Sequence, residues 1–366
     1  MRERSESPAI SKGPSLTAST LTDPLHNSIF LRACRREHVP YTPIWLMRQA
    51  GRYMAEYRDV RARLSFLELC KTPSIAAEVT VTAAERLGVD AAIIFADILL
   101  IIEPMGMELE FTKGEGPIIH NPVRSNSEVK RLREIEDVAA LDFVFDAIRQ
   151  TRKALRSDLP LIGFAGAPFT LASYIVEGGA SKNYVHTKSL MYNDSGAWHA
   201  MMSLISRGLI KYLNAQIEAG AQAVQLFDSW VGALSPNDYR QYVLPHSRKV
   251  IEGISPGTPV IHFGTGTSAL LELMREAGGD VIGLDWRVRI DEGWARIGHG
   301  VAVMGNLDPV TLFANGEYLR AQAKKILNEA DRRPGHIFNL GHGILPETPV
   351  ENVVSLVEMV HELSQR

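Results

Sequence analysis

The sequence predicts a single (β/α)8 barrel of the α/β class, with a small insertion after its second strand. Eight short apolar runs, mostly β-branched and bounded by Gly, Pro or Asp, have the character of parallel strands buried on both faces. Longer amphipathic segments lie between them, and such alternation is typical of βα units. Eight units in roughly 325 residues fit a barrel with insertions better than an open doubly wound sheet.

The order of these elements along the chain is regular from residue 40 onward. The predicted strands are 43–46, 91–95, 161–164, 223–227, 259–263, 281–284, 301–304 and 337–340. The predicted helices include 74–87, 142–155, 198–219, 268–277, 317–330 and 350–363. The Gly- and Pro-rich stretch 103–124 follows the second strand and carries alternating apolar residues, which indicate a small hairpin or lid.

The N-terminal segment has a different composition from the rest of the chain. Residues 1–35 are rich in Ser, Thr and Pro without a sustained apolar period, and we interpret them as a mobile tail that ends in a short helix near 28–34. Glu3 and Glu6 argue against a transit peptide, because such peptides avoid acidic residues. Residues 36–366 are predicted to form the barrel domain.

Composition excludes several classes of function. The chain of 366 residues is 45% hydrophobic and 22% charged, a balance typical of globular proteins, and its net charge of −3 gives no case for a nucleic-acid partner. No run approaches the ~18 apolar residues of a membrane span, and the N-terminus lacks the apolar core of a secretory signal. The two cysteines, Cys34 and Cys70, lack metal-site spacing and are interpreted as packed thiols of a reducing compartment. The cytoplasm is the expected location.

A pair of arginines after the first predicted strand indicates an anion clamp. Arg48 and Arg52 flank Gly51, and guanidinium groups match carboxylates or phosphates in charge and geometry. The alternative is a solvated helix face on which Arg52 pairs with Glu56 at i,i+4.

Polar residues follow nearly every predicted strand, at the barrel face that carries catalytic groups in this fold. They are Arg48, Asp97, Ser173, Tyr174, Asp228, Ser229, Asp285, Asn306, Asp308, Asn339 and His342. Structural alternatives remain open for several of them. Asp97 suits an N-cap for the segment that begins at Ile98, Ser229 could cap the following turn, and Asp228 could pair with an arginine. Tyr174 suits a core position, whereas His342 lies between two glycines where no packing demand explains it.

Common catalytic motifs are absent from the chain. There is no phosphate-binding G-x-x-x-x-G-K-[ST] sequence, no G-x-S-x-G elbow, no H-E-x-x-H and no Cys/His cluster with zinc spacing. The predicted site therefore consists of arginines, an aspartate, hydroxyl groups and a histidine, without a metal or a covalent nucleophile.

These residues resemble the uroporphyrinogen decarboxylase family of haem and chlorophyll biosynthesis. The segment 47–58 reads MRQAGRYMAEYR and resembles the family signature, and the match continues through 94–99, 166–171, Tyr174, 227–230 and 339–343. It covers about residues 36–366 in the expected order. One departure is Ala55, where many members carry Pro.

The resemblance implies a single-domain barrel, usually a homodimer, that removes CO2 from the four acetate side chains of uroporphyrinogen III without a cofactor and gives coproporphyrinogen III. The implied catalytic residues are Asp97, Arg48 and His342. The implied substrate-binding residues are Arg48, Gln49, Ala50, Gly51, Arg52, Asp97, Tyr174, Ser229 and His342. Arg48, His342 and water all remain candidates for the proton donor, although the high pKa of arginine makes it a reluctant acid.

Two other functions are weighed against this one. Barrel methyltransferases of the same superfamily bind zinc through His-x-Cys and a later Cys, but here His262 is followed by Phe263 and Gly264, and no cysteine lies beyond Cys70. A non-catalytic tetrapyrrole carrier would keep the arginines and would not need Asp97.

Overall fold

A curled parallel sheet lies at the centre of the fold. The protein is described by a computed structural model that covers residues 23–112 and 116–366. Its strands are β1 (Ala92–Ile93), β2 (Leu109–Thr112), β3 (Gly116–Ile119), β4 (Leu161–Gly166), β5 (Ala223–Asp228), β6 (Val260–Gly264), β7 (Val281–Gly283), β8 (Ala302–Met304) and β9 (His336–Ile337). Seven form the parallel sheet in the order β1-β4-β5-β6-β7-β8-β9, and β2 pairs with β3 in a separate antiparallel ribbon. The predicted α/β class is confirmed.

Helices connect successive sheet strands and pack on one another around the sheet. They are α1 (Ile29–Cys34), α2 (Ala55–Arg61), α3 (Phe66–Cys70), α4 (Pro73–Leu87), α5 (Asn126–Val129), α6 (Asp142–Ala154), α7 (Pro168–Glu177), α8 (Val185–Asn193), α9 (Ser195–Ala219), α10 (Pro236–Asp238), α11 (Leu244–Glu252), α12 (Leu271–Ala277), α13 (Ile290–Ile297), α14 (Gly316–Glu329) and α15 (Val350–Leu363). The six helices named from sequence are all present, with ends that shift by three residues or fewer.

The sequence explains why these helices form where they do. In α6, Val144, Ile148 and Thr151 are buried at the i, i+4, i+7 spacing of a helix that covers a sheet with one face. In α4, Pro73 occupies the first turn, where its missing N–H costs no hydrogen bond. Gly88 ends α4 with a φ of 67°, a left-handed conformation that glycine adopts without steric cost.

The first predicted strand, 43–46, is wrong as a regular strand. Ile44 forms only an isolated parallel bridge with Phe338, whose N–H donates to the carbonyl of Pro43 at 2.8 Å. On the other side, the N–H of Ile44 donates to the Asp90 carboxylate at 2.8 Å, and the N–H of Asp90 donates to the Ile44 carbonyl at 2.8 Å. Pro43 has no N–H, and a side chain takes the place of a backbone acceptor, so a continuous ladder cannot form.

The short helix expected near 28–34 is present and packs on the core. Helix α1 occupies the position expected for the short terminal helix, and Ser28 caps it by accepting a hydrogen bond from the N–H of Leu31. Phe30 and Ala33 are fully buried, so this part of residues 1–35 belongs to the folded domain. The rest of the predicted mobile tail, residues 1–22, lies outside the described residues.

Both cysteines lie inside the folded protein. Cys34 and Cys70 are both buried free thiols, and burial raises the pKa of each well above its ordinary value, as predicted for packed thiols. Across the residues that the structure describes, no helix combines the length and the apolar character that crossing a membrane requires.

Candidate functional site

The predicted site residues come together at the carboxyl ends of the strands. Asp97 follows β1, Tyr174 lies in α7 directly after β4, and His342 follows β9. Their charges act on one another: Arg48 is influenced by Arg52, Asp97 and Tyr174, and His342 is influenced by Arg48. This mutual influence requires proximity, because Coulomb interactions fall with distance.

The main chain at Arg48 makes a left-handed turn. Its φ of 62° is uncommon for a residue other than glycine and costs of the order of 1 kcal/mol. The Gln49 side chain holds the turn: its Oε1 accepts from the N–H of Leu46 at 3.2 Å, and its Nε2 donates to the carbonyl of Ala91 at 3.3 Å. Backbone strain held in this way is typical of functional sites.

The Gln49 side chain supports the main chain, whereas the family resemblance implied that Gln49 binds substrate. Its side chain is 1% exposed and bonded to the main chain, so its amide does not line the approach to the site. Ala50 and Gly51 are half-buried in the turn that joins Arg48 to Arg52. The sequence could not predict this orientation, because a glutamine beside an arginine carries no indication of whether its side chain points into the protein or towards the site.

Arg52 is not engaged in the ion pair that was its structural alternative. Glu56 pairs instead with Arg86, whose Nη1 lies 2.7 Å from its Oε1. Arg52 is exposed and makes no salt bridge within the described ranges 23–112 and 116–366. Its charge helps to lower the pKa of Arg48, after the larger effect of desolvation. Arg48 also makes no salt bridge to any described residue, so neither guanidinium group has an ion-pair partner.

Asp97 is half-buried and keeps part of its hydrogen-bonding capacity. Its Oδ1 accepts from the N–H of Leu99 at 2.8 Å across a turn, but it is not a helix N-cap, because the 3-10 helix that follows begins at Leu100 and has Leu99 at its N-cap without a side-chain bond. Desolvation raises the pKa of Asp97 to about 6, although the Leu99 N–H and the charge of Arg48 act in the opposite direction. At neutral pH this carboxylate is mostly ionised, and its Oδ2 makes no hydrogen bond to any described residue.

Tyr174 and Ser229 are the two hydroxyl-bearing residues of the predicted site. Tyr174 stacks on Trp230 with ring centroids 3.8 Å apart, which fixes its ring rather than burying it in the core. Desolvation and the charge of Asp97 raise the pKa of Tyr174, so its hydroxyl stays protonated and can donate. Ser229 precedes Trp230 and is half-buried, and its carbonyl accepts from the hydroxyl of Thr265.

Asp228 has no arginine partner among the described residues, so the pairing that the sequence left open is not formed. It is fully buried, and its Oδ1 accepts from the hydroxyl of Thr170 at 3.0 Å. Desolvation raises the pKa of Asp228 to about 7. Like Asp97, it is a carboxylate at a strand end whose pKa burial raises, but its bonded partner is a hydroxyl of α7.

The glycines around His342 serve close packing within the protein. A Cβ on Gly343 would lie 2.5 Å from Cδ of Arg48, and a Cβ on Gly341 would clash with the backbone N of Trp286. No packing reason for these glycines was evident from the sequence, but the structure supplies one: they let the 339–343 loop pack against the Arg48 side chain. Ile344 closes this contact by donating its N–H to the carbonyl of Met47 at 2.9 Å.

His342 is half-buried beside this contact. Desolvation, and then the charge of Arg48, lowers the pKa of His342 below its ordinary 6.5. The imidazole is therefore mostly neutral at pH 7 before substrate binds. A neutral imidazole can both donate and accept a hydrogen bond.

Other strand-end residues build the loops. Asn339 accepts from the N–H of Met47 at 3.1 Å, and Asn306 donates from Nδ2 to the carbonyl of Asp285 at 2.8 Å. Asp308 caps the 3-10 turn after β8 through the N–H of Val310. Within the described part of the chain, no group of three or more His, Cys, Asp or Glu side chains is arranged to hold a metal ion.

Comparison with known proteins identifies close relatives. The family model described as uroporphyrinogen decarboxylase (URO-D) matches residues 25–363. The uroporphyrinogen decarboxylase of Carboxydothermus hydrogenoformans is 58% identical over 339 residues, which are 92% of this chain and 97% of that protein. That of Sorangium cellulosum is 57% identical over 335 residues, 91% of this chain and 96% of that protein.

Solved structures support the architecture. A methyltransferase from Methanosarcina mazei superimposes with a TM-score of 0.75 at 22% sequence identity, covering 91% of this chain and 97% of that one. A B12-independent methionine synthase from a Shewanella species gives a TM-score of 0.56 at 12% identity, covering 82% and 89%. At these identities the likeness concerns the fold alone.

Proposed function

Because this chain belongs to the uroporphyrinogen decarboxylase family, we propose that its site removes CO2 from the four acetate side chains of uroporphyrinogen III and leaves methyl groups, giving coproporphyrinogen III. The observation that carries the proposal is the meeting of Asp97 with Arg48, Arg52 and Tyr174 at one end of the sheet. Relatives that are 57–58% identical over more than nine-tenths of this chain bear the same activity in their names.

The arginines match the charge of the substrate. Uroporphyrinogen carries eight carboxylates, and guanidinium groups bind carboxylates through two parallel hydrogen bonds. Arg48 and Arg52 hold side-chain carboxylates near the reaction centre, and Tyr174, Ser229 and His342 add hydrogen bonds. Arg52 is exposed and without an ion-pair partner in the described structure, so binding a carboxylate breaks no existing ion pair.

Asp97 stabilises the charge that develops on the reacting ring. The electrons released with CO2 need an acceptor, which other decarboxylases obtain from a cofactor. A pyrrole protonated on the ring carbon beside the acetate accepts them itself. A proton then replaces CO2 on the side-chain carbon, and the ring carbon releases the proton that it had gained, which restores the pyrrole. The ionised Asp97 accepts hydrogen bonds from pyrrole N–H groups and stabilises the cation, an electrostatic role in a site of low polarity. The reaction therefore needs no cofactor.

The pKa directions bear on the proton donor. Desolvation and neighbouring charges lower the pKa of both His342 and Arg48, so each is a stronger acid in its protonated form than the free side chain is. Arg48, His342 and water therefore all stay candidates for the proton donor. Binding of substrate carboxylates beside His342 will raise its pKa and increase its protonated fraction.

The rate of reaction should depend on pH through Asp97. We expect kcat/KM to be constant above pH 7 and to fall about tenfold per unit below pH 6, because the free enzyme needs the ionised carboxylate, whose pKa is about 6. Initial rates of CO2 release between pH 5 and 8 measure this limb. An Asp228→Asn variant should keep the limb near pH 6, and a kcat/KM that rises as pH falls would instead indicate an imidazolium donor.

The architecture around the site completes the proposal. The segment 43–46 bonds to Phe338 on one side and to Asp90 on the other, which supports a closed barrel of eight strand positions. The β2–β3 ribbon is the insertion after the second of these positions. Phe66 packs against both Phe111 of the ribbon and Phe95 near Asp97, at 4.8 and 6.0 Å between ring centroids, so the ribbon covers an edge of the site.

Assembly and location follow the family and the surface. A cytoplasmic homodimer accords with the two free thiols and with exposed apolar side chains after β8, namely Val310, Phe313 and Tyr318. Sedimentation equilibrium of the purified protein measures the subunit number, and a monomer at micromolar concentration would contradict this part of the proposal.

One assay separates the proposed function from its alternatives. Purified protein is incubated with uroporphyrinogen III under anaerobic, reducing conditions, and porphyrinogens are separated by carboxylate number. We expect release of CO2 and successive seven- to four-carboxylate products. Tight binding without CO2 release would indicate a tetrapyrrole carrier, and neither binding nor release would refute the assignment.

A further inference from the structure

A third arginine lies at the same end of the sheet as the proposed site. Arg287 follows β7 by four residues, and its side chain is 50% exposed. Its Nη1 donates to Oδ2 of Asp285 at 2.7 Å, and its guanidinium lies over the Trp286 ring at 4.0 Å from the centroid. The guanidinium is therefore held in one orientation before any ligand arrives.

The anchor beneath Arg287 is buried. Asp285 is 1% exposed and also accepts from the backbone N–H groups of Gly266 at 2.5 Å and of Arg287 at 2.9 Å. Arg287 donates through Nη1 alone, so its Nε and Nη2 groups make no hydrogen bond to the described residues. These donors remain available on an exposed, fixed group.

The loop that carries Arg287 contacts the loop that carries His342. Gly341 packs so closely on the backbone of Trp286 that a Cβ there would clash. In keeping with this contact, the charges of both Arg48 and Arg287 lower the pKa of His342. The charge of Arg48 lowers the pKa of Asp97, whereas that of Arg287 has no such effect. Arg287 is therefore farther than Arg48 from Asp97 and from the ring that Asp97 would contact.

We propose that Arg287 is a further substrate-binding residue, which holds a carboxylate of the porphyrinogen that is remote from the reacting ring. This inference rests on the proposed function. A carboxylate far from the reacting ring is bound equally in the ground state and the transition state. Loss of its contact with Arg287 therefore raises KM and leaves kcat unchanged.

Arg289 is a matched control two residues away. Its Nε and Nη2 donate to the two oxygens of Asp291 at 3.0 and 2.7 Å, so its guanidinium fork is already occupied by a carboxylate. Both arginines are about half exposed, and both pair with an aspartate two residues distant. Only Arg287 combines free donors with contact to the site.

The test compares Arg287→Gln and Arg287→Lys with Arg289→Gln in the full-length protein. We expect Arg287→Gln to raise KM for uroporphyrinogen III about tenfold, with kcat within about twofold of wild type, because one charge-assisted contact is lost. Arg287→Lys should show a smaller rise, since it keeps the charge but not the fork. Arg289→Gln should retain the wild-type KM, and KM of Arg287→Gln should depend less steeply on salt than that of wild type.

A binding titration keeps this inference separate from the proposed function. Quenching of tryptophan fluorescence by uroporphyrin, which has the same eight carboxylates, reports Kd without turnover, and Arg287→Gln should weaken it about tenfold. An unchanged KM and Kd would overturn the inference, as would a fall in kcat and melting temperature with KM unchanged. If wild type binds uroporphyrin but releases no CO2 from uroporphyrinogen, the proposed function fails while the binding comparison still decides the part of Arg287.

Discussion

Asp97→Asn is expected to lower kcat by about 10²–10³-fold while leaving KM within a few-fold of wild type. The substitution keeps the size of the side chain, and the new Oδ1 can still accept from the N–H of Leu99. It removes the negative charge that, in the proposed mechanism, stabilises the cationic ring, and the loss of one such electrostatic contact in a catalytic site typically has this magnitude. Single-turnover release of CO2 at pH 8 measures the chemical step directly.

The same substitution should stabilise the fold. The folded-state pKa of Asp97, about 6, is higher than its ordinary 3.8, so folded protein binds this proton more tightly than unfolded protein does. The ionised carboxylate of Asp97 therefore lowers the free energy of unfolding. This destabilisation is absent below pH 3.8, grows between pH 3.8 and pH 6, and is fully present above pH 6. We therefore expect Asp97→Asn to raise the free energy of unfolding at pH 8 by about 1–3 kcal/mol, an advantage that narrows towards pH 4.

Asp228→Asn provides the matched control. Asp228 is also a buried carboxylate at a strand end, with a pKa raised to about 7, and its partner Thr170 can donate to an asparagine. Its replacement should raise stability at pH 8 in the same direction and leave kcat near wild type. Full turnover by Asp97→Asn, or equal losses of kcat in the two variants, would contradict the assigned part of Asp97.

Gly343→Ala is expected to lower kcat/KM by about 10–100-fold without unfolding the protein. The added methyl carbon would lie 2.5 Å from Cδ and 2.7 Å from Cγ of Arg48, closer than carbon atoms approach. These atoms lie in the middle of the side chain, so Arg48 must move as a whole, and displacement of a positioning group by about 1 Å can cost this much activity. Gly343 does not have a positive φ, so alanine adds no backbone strain there.

Two comparisons attribute the effect to Arg48. Gly316→Ala, at a glycine where a Cβ would meet no atom within 4 Å, should retain wild-type kinetics. In an Arg48→Ala background, Gly343→Ala should cause little further loss, because the side chain that it displaces is gone. Additive losses in the double variant would show that Gly343 acts by another route.

The strand-end rule predicted which residues share one face, because parallel strands bring their carboxyl ends together. Asp97, Tyr174 and Ser229 each follow a run whose apolar composition is read directly from the sequence. The orientation of Gln49 could not be predicted in the same way. Its side chain points inward because it bonds to the carbonyl of Ala91, which lies beyond helices α2, α3 and α4 in the chain.

The sequence by itself determined the α/β class, the places of the long helices, and the family, since apolar periodicity and local motifs depend on neighbouring residues alone. Only the tertiary structure decided that 43–46 bridges two segments without becoming a strand, and that the glycines beside His342 fit Arg48 and Trp286. It also decided that the loop of Arg287 packs on the loop of His342. These features are contacts between segments far apart in the chain, and local sequence patterns do not specify which distant segments pack together.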